Sequence, residues 1–268
     1  INVLKNQDVV ITSSEYSKSV FESFGLSNVV YCPLGFDSES FYRKDKVFNK
    51  NCITFNICGK LEKRKAHKQM IRSWCRKYGN KPEYRLQLAV YNQFLNMRNE
   101  MTGEMVDYNN NALSDIFEGK PAPFNVNVMP NFLNSNSLYN DFLNSADIIL
   151  GMSMGEAWGL PEFQSVAIGK HAVLLNAHGY KGWATTANSV LVNTNGSAEI
   201  YDNFFFKKGA NVNQGKGFTF DDEEFLNGCE AAIKRVAANP KNEEGMKMQQ
   251  DFYYTKTYQK VKAIIKTL

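Results

Sequence analysis

Residues 146–169 read ADIILGMSMGEAWGLPEFQSVAIG, and this stretch decides the fold class. The run from Asp147 to Leu150 predicts a short buried strand. A loop of small residues follows, and Pro161 suits the first turn of a helix that we expect from Leu160 to Ile168. A strand that passes through a small-residue loop into a helix is the repeating unit of a parallel α/β sheet.

The same alternation continues in both directions along the chain. Strands are predicted at residues 52–58, 84–90, 126–129 and 172–175, and helices at residues 68–78, 136–144, 225–238 and 246–268. Residues 92–118 are predicted to be helical in parts, and residues 193–220 to be an irregular insertion. The pattern predicts an α/β protein with a Rossmann-like, doubly wound parallel sheet.

A shorter strand–helix–strand pattern precedes this region. Residues 8–12 and 28–32 predict two strands, and Ser14 offers an N-cap for a helix that ends before Gly25. Residues 38–50 are polar and charged, which is typical of a linker.

Composition excludes several classes of protein. Hydrophobic residues make up 43% of the chain and charged residues 22%, as in soluble globular proteins. The net charge of +4 suits an acidic ligand but is too small for a dedicated nucleic-acid binder. No apolar run reaches the length of about 20 residues that spans a bilayer. The five cysteines form no CxxC pair and the three histidines are scattered, so no metal site is predicted. We expect a cytoplasmic protein, either free or peripheral to a membrane.

The loop after the strand at residues 52–58 reads GKLEKRKAH and runs from Gly59 to His67. In an open α/β sheet this is the carboxyl edge, where ligands bind, and a helix N-terminus there offers free N–H groups to phosphate. Lys60, Arg64 and Lys65 add cationic donors. A solvated basic loop is the alternative interpretation.

Two further loops end at the same predicted edge. In the first, Glu156 can accept hydrogen bonds from sugar hydroxyls, and Gln164 lies in the first turns of the following helix. Alternatively, Glu156 caps that helix and Gln164 is an ordinary surface residue. The second loop contains His178, and a lone histidine is more often structural than catalytic. The aromatic run at residues 204–206 is interpreted as core or interface rather than as a platform for a base.

Taken in order, these segments resemble the family 4-like, "group 1" retaining glycosyltransferases of GT-B fold. The phosphate loop of that family's C-terminal domain, G-[RK]-x-x-x-[RK]-K-G, resembles Gly59 to Ala66. Its S-x-x-E-G-F-G-L-P-x-x-E-A-x-A-x-G motif, with the strand before it, resembles residues 146–169. The segment Val9 to Gly35 and the helix Tyr254 to Leu268 also resemble parts of the family, so the likeness covers nearly the whole chain.

The resemblance implies a role for each candidate residue. Arg64 and Lys65, assisted by Lys60 beside Gly59, would hold the diphosphate of the donor. Glu156 matches the first glutamate of the E-x7-E motif, which contacts the transferred sugar. The donor would also be contacted by the backbone of three residues, by the side chain at the second glutamate position and by the third loop: Trp158, Gly159, Leu160, Gln164 and His178.

The sequence departs from the family pattern at three positions. Gln164 stands where the second glutamate grips the ribose, and an amide brings no charge and one oxygen fewer. Ala66 and Ala157 replace glycines. These changes bear on donor affinity more than on the fold.

The resemblance also implies a reaction. A hexosyltransferase of this kind uses a UDP-, GDP- or ADP-sugar, needs no cofactor or metal, and retains the anomeric configuration without an enzyme nucleophile. The acceptor, a glycan, lipid or protein, is not identified by the sequence. A non-catalytic nucleotide-sugar-binding module is the main alternative. A sugar-nucleotide epimerase, a phosphorylase of the same fold and a DNA-modifying sugar transferase are further alternatives.

The resemblance finally implies a division of the chain. Residues 1–50 would be the end of an N-terminal, acceptor-binding domain and a linker, and residues 51–268 the nucleotide-sugar-binding domain. Residues 246–268 would be the helices that cross back to the first domain. Because about fifty residues cannot form a complete acceptor domain, we expect that most of that domain is missing from this sequence.

Overall fold

The computed structural model describes residues 2–46, 51–92, 96–98, 105–129, 133–202, 205–211 and 215–268. The strands within these ranges are β1 Val10–Thr12, β2 Val29–Tyr31, β3 Ile53–Gly59, β4 Tyr84–Val90, β5 Asn96–Arg98, β6 Met105–Asp107, β7 Val126–Val128, β8 Ile148–Gly151, β9 His171–Leu175, β10 Val190–Val192, β11 Gly196–Glu199 and β12 Lys216–Thr219. The α-helices are α1 Asn2–Lys5, α2 Glu15–Ser23, α3 His67–Tyr78, α4 Tyr108–Ile116, α5 Asn136–Asn144, α6 Leu160–Ala167, α7 Asp222–Ala238, α8 Glu243–Asp251 and α9 Tyr254–Lys266.

Six parallel strands form the central sheet in the order β10-β9-β8-β3-β4-β7. The chain moves outward from β3 to β7, returns to β8 beside β3, and then moves outward in the opposite direction. This reversal between β3 and β8 is the topological switch point of a doubly wound sheet, where a crevice opens at the carboxyl ends of the strands. The predicted fold class is therefore confirmed.

The central strands of the sheet are buried on both faces, and most of their residues are apolar. In β8, Ile148 and Leu150 contact one core and Ile149 contacts the other, as the two-residue period of a strand requires. The first core includes Trp74 of α3 and Phe225 of α7, and the second includes Phe163 of α6. Full burial of a side chain of this size stabilises the fold by about 2–3 kcal/mol.

A separate two-stranded parallel sheet is formed by β1 and β2, with α2 between them. The segment that follows it contacts the last helices. Phe36 N–H donates to the Phe252 carbonyl at 2.5 Å, and Thr257 Oγ1 donates to the Pro33 carbonyl at 3.0 Å. A Cβ added to Gly35 would lie 2.5 Å from Tyr254 Cα, so only glycine permits this approach. The proposed division of the chain near residue 50 stays a prediction.

Two local predictions were wrong in part. The segment predicted to be helical in parts, residues 92–118, contains α4, but its residues 96–98 and 105–107 form the antiparallel pair β5–β6. The predicted irregular insertion contains the antiparallel pair β11–β12. This pair is a two-stranded sheet of its own, separate from the main sheet. The aromatic run interpreted as core or interface covers residues 204–206, and its first residue, Phe204, lies outside the described residues.

No helix in the described part of the chain is both long enough and apolar enough to cross a bilayer.

Candidate functional site

The loop after β3 brings two cations to the carboxyl edge of the sheet. Lys63–Lys65 form one short helical turn, and Ala66 then adopts a left-handed conformation, φ 54°, before α3 begins. Gly59, with φ 126°, ends β3, and a Cβ at this position would lie 3.4 Å from Lys65 Cε. Such a Cβ would be in ordinary van der Waals contact with Lys65, so it is the positive φ rather than the space that favours glycine here.

Arg64 and Lys65 converge on one carboxylate. Glu156 Oε1 accepts from Lys65 Nζ at 2.5 Å and from Arg64 Nη1 at 3.1 Å. Arg64 Nη2 also donates to Glu62 Oε1 at 2.5 Å. These four side chains are between 5% and 21% exposed, so water screens their interactions only in part. Burial opposes the ionisation of Glu156, but Lys65 and Arg64 outweigh it and hold its pKa below the ordinary value.

Backbone contacts hold the loop after β8 against the loop after β3. Met154 N–H donates to the Arg64 carbonyl at 2.8 Å, and Ser153 Oγ donates to the same oxygen at 3.2 Å. Arg64 Nη1 also donates to the Gly155 carbonyl. The two loops thus move as one unit, and the cations stay close to Glu156.

The third loop is fastened to the second by His178. Its Nε2 lies 2.8 Å from the Ser153 carbonyl, which can only accept, so Nε2 carries the proton. Burial lowers the pKa of His178 to about 4, and the ring is neutral at pH 7. Its φ of 41° is unusual for a residue with a side chain. Gly179 N–H donates to the Glu156 carbonyl at 3.0 Å, so this loop fixes the backbone of Glu156 as well.

The N-terminus of α6 offers unoccupied donors beside this cluster. Gly159 has φ 82° and lets the chain turn into the helix. No described residue accepts a hydrogen bond from the N–H groups of Trp158, Gly159 or Leu160. The Trp158 ring is 2% exposed and belongs to the core, whereas Leu160 is exposed. The role of this backbone in binding a donor stays a prediction.

The remaining predicted residues lie at the margin of the cluster formed by Arg64, Lys65 and Glu156. Lys60 is exposed, and its Nζ lies 5.5 Å from the centroid of the Phe205 ring. Gln164 is half-buried, and its Oε1 is enclosed without a partner among the described residues. The structure therefore brings Arg64, Lys65 and Glu156 into direct contact and places Lys60 beside another loop.

Two carboxylates of this region were missed by the sequence analysis. Glu62 pairs with Arg64, and its place within the basic loop was the available signal. Glu162 is 3% exposed, and its Oε2 has no hydrogen-bond partner among the described residues. It stands at the third position of α6, where a glutamate ordinarily caps the helix at the surface. Only the fold shows that Tyr180 covers it: a Cβ at Gly159 would overlap the Tyr180 ring and lie 3.1 Å from Glu162 Oε2.

Burial raises the pKa of Glu162 to about 7. Lys65 acts against this shift and Glu156 adds to it. The buried Tyr180 and the half-buried Tyr139 and Cys58 also lie within electrostatic range of this carboxyl. A carboxyl group whose pKa is raised towards neutral pH near a cation is a feature of functional sites.

Solved structures share this arrangement of strands and helices. HepE from Anabaena, in complex with UDP and glucose, matches with a TM-score of 0.73 over 99% of this chain at 12% sequence identity. Sucrose-phosphate synthase from Thermosynechococcus elongatus matches with a TM-score of 0.69, also over 99% of the chain, at 14% identity. The chain has the GT-B glycosyltransferase fold.

The C-terminal domain of the group 1 glycosyl transferase LpcC from Francisella tularensis also has this fold. It matches 81% of this chain with a TM-score of 0.55 at 14% identity, and 97% of that domain is covered. This chain covers only 65% of HepE and 59% of the sucrose-phosphate synthase. No protein-family model matches the chain, and no curated protein is significantly similar to it in sequence.

Proposed function

We propose that this chain binds a nucleoside diphosphate sugar and that the protein transfers the sugar to an acceptor with retention of configuration and without a metal. The observation that carries the proposal is the convergence of Arg64 and Lys65 on Glu156 at the switch point of a glycosyltransferase fold. Cationic donors, a carboxylate and free helix N–H groups meet there, and these are the groups that a diphosphate and a sugar need.

The chemistry follows from the charges. As the anomeric bond breaks, negative charge grows on the departing diphosphate and positive charge grows on the sugar ring. Arg64, Lys65 and the N–H groups of Gly159 and Leu160 would stabilise the leaving group, because donors that are already in place need no reorganisation. Glu156 would accept hydrogen bonds from sugar hydroxyls. We assign no side chain as a nucleophile, which accords with same-face attack by the acceptor.

The first test is calorimetric titration of the chain with UDP, GDP and ADP, without added metal. UDP comes first because the HepE structure contains it. We expect one of the three nucleotides to bind and the Arg64→Ala/Lys65→Ala double variant to lose that binding by a hundredfold or more. An exposed pair far from the site, Lys247→Ala with Lys266→Ala, serves as the matched control and should bind as the wild type does. Failure of all three nucleotides to bind would contradict the proposal.

A second candidate function is a nucleotide-sugar-binding module without catalysis. Gln164 favours it, because a neutral amide stands where the resembled family places its second glutamate. Release of the free nucleoside diphosphate from the bound donor separates the two candidates. Turnover supports the enzyme, whereas tight binding without any release supports the binding module.

A further inference from the structure

The two cations expected to hold a diphosphate form ion pairs with acidic side chains. Lys65 contacts Glu156, and Arg64 contacts both Glu156 and Glu62. Two positive charges therefore meet two negative charges, and all four side chains are largely buried. A diphosphate that enters this site meets a cluster that is neutral overall.

Glu156 competes with a diphosphate oxygen for these cations. Its Oε1 lies 2.5 Å from Lys65 Nζ and 3.1 Å from Arg64 Nη1, so it occupies the point between the two charges. Two anions held close together repel each other, and low water content strengthens the repulsion. Glu156 therefore opposes the binding of a diphosphate for as long as it stays on both cations.

The Glu156 side chain is free to make this exchange, although its backbone is not. Its carbonyl accepts from Gly179 N–H, and no described residue offers its carboxylate a backbone N–H. Rotation about the side-chain bonds is sufficient to release Arg64 and Lys65. The displaced carboxylate then needs new donors, and sugar hydroxyls are donors that a free diphosphate lacks.

We propose that Glu156 is an internal competitor for the diphosphate, and that this competition selects against ligands that lack the hydroxyls of the transferred sugar. The inference rests on the proposed function and adds a specificity determinant to it. The hydroxyls of the transferred sugar replace the ion pairs that Glu156 loses when the donor binds. The nucleoside diphosphate product has lost those hydroxyls, so the carboxylate returns to the cations and favours product release.

The test uses inorganic pyrophosphate, which carries the diphosphate charge without a base or a sugar. Calorimetric titration without added metal compares the wild type with Glu156→Gln, which keeps the shape of the side chain and removes its charge. We expect the variant to bind pyrophosphate at least tenfold more tightly. Glu223→Gln makes the same charge change on an exposed residue of α7 that pairs only with Arg76 among the described residues, and it should bind as the wild type does.

Two further variants keep the result open to contradiction. Glu62→Gln should tighten binding by a smaller factor, because Arg64 keeps its contacts with Glu156 and Gly155. Glu156→Gln combined with Arg64→Ala/Lys65→Ala should lose the gain completely. Equal affinity of the wild type and Glu156→Gln, or no binding by either, would overturn the inference.

The outcome is distinguishable from failure of the proposed function. If a nucleoside diphosphate binds through Arg64 and Lys65 but Glu156→Gln gains nothing for pyrophosphate, the competitor is wrong and the donor site stands. If Glu156→Gln gains affinity while no nucleotide binds, the competition is real and the donor proposal is wrong.

Discussion

The two ends of the central sheet contain buried ion pairs that are held in different ways. At the amino end, Lys46 Nζ lies 2.5 Å from Asp147 Oδ2, and that oxygen also accepts from Thr54 N–H at 2.8 Å. At the carboxyl end, Lys65 and Arg64 contact Glu156 through side chains alone. A pair that is fastened to the backbone cannot exchange partners without local unfolding, whereas a pair of side chains can.

Other cations at the amino end of the sheet also form hydrogen bonds with the backbone. Lys170 Nζ donates to the Asn144 carbonyl at 2.8 Å, and Arg43 Nη1 donates to the Gly169 carbonyl at 3.1 Å. Burial lowers the pKa of Lys170 to about 8. These cations complete the backbone hydrogen bonding of helix ends. The difference between the two ends lies in their carboxylates: Asp147 accepts from a backbone N–H, whereas Glu156 accepts only from side chains among the described residues.

The largest effect is expected at Glu162, a buried carboxyl that forms no ion pair among the described residues. Below pH 4.5 it is protonated in both the folded and the unfolded chain. As the pH rises to about 7, the unfolded state loses the proton first, and the free energy of unfolding falls. Glu162→Gln removes this penalty. The variant should therefore gain about 3 kcal/mol on the wild type between pH 4 and pH 8.

Urea unfolding at pH 4 and pH 8 measures this gain. The cost of replacing the carboxyl by an amide is the same at both pH values, so it cancels when the two stability differences are subtracted. Glu244→Gln, at an exposed site of α8, is the matched control and should show little change with pH. A difference between Glu162→Gln and the wild type that stays constant from pH 4 to pH 8 would contradict the assignment of a raised pKa to Glu162.

The next largest effect is expected at the ion pair between Lys46 and Asp147, at the amino end of the sheet. Asp147→Asn leaves Lys46 without its counter-charge in a largely buried position, and we expect a loss of about 2 kcal/mol in the free energy of unfolding. Pyrophosphate affinity should not change, because the site lies at the other end of the sheet. Glu156→Gln should show the reverse pattern, with altered affinity and a smaller loss of stability. If both variants altered stability alone, the comparison between the two ends would fail.

The central sheet was predictable because its signals are local. Each strand from 52–58 to 172–175 is apolar and is followed by a loop of small or polar residues, and short-range patterns of this kind survive in any tertiary context. Val190–Val192 was not identified as a strand, because three apolar residues carry too little periodicity. The pairs β5–β6 and β11–β12 were missed because their sequences are short and mostly polar, so no hydrophobic alternation marks them.

The site was predictable in part for a related reason. Arg64, Lys65 and Glu156 were identified because each follows a strand, and parallel strands bring their carboxyl ends together. Their mutual ion pairs were not predicted, since sequence gives the neighbourhood of charges but not their partners. Glu162 escaped notice because a glutamate in a first helical turn ordinarily faces water, and only the packing of Tyr180 shows otherwise.

The smallest effect is expected at Gln164. Gln164→Glu adds a second carboxylate that no backbone group holds at the carboxyl end, and its two oxygens can accept from ribose hydroxyls. We expect the affinity for the nucleoside diphosphate that binds the wild type to rise by about tenfold, or about 1.4 kcal/mol. Titration calorimetry measures it, with Gln259→Glu on the exposed face of α9 as the control. A loss of affinity would show that Gln164 faces the diphosphate rather than the ribose.

The contact between Phe36 and residues 252–254 has a consequence for synthesis on the ribosome. Phe36 is 1% exposed, and backbone hydrogen bonds join it to Phe252 and Tyr254. At a translation rate of about 5–20 residues per second, roughly 10–40 s pass between the emergence of Phe36 and that of its partners. Throughout that interval the N–H and carbonyl groups of Phe36 lack these partners, so this segment completes its hydrogen bonding only after the last helices have been synthesised.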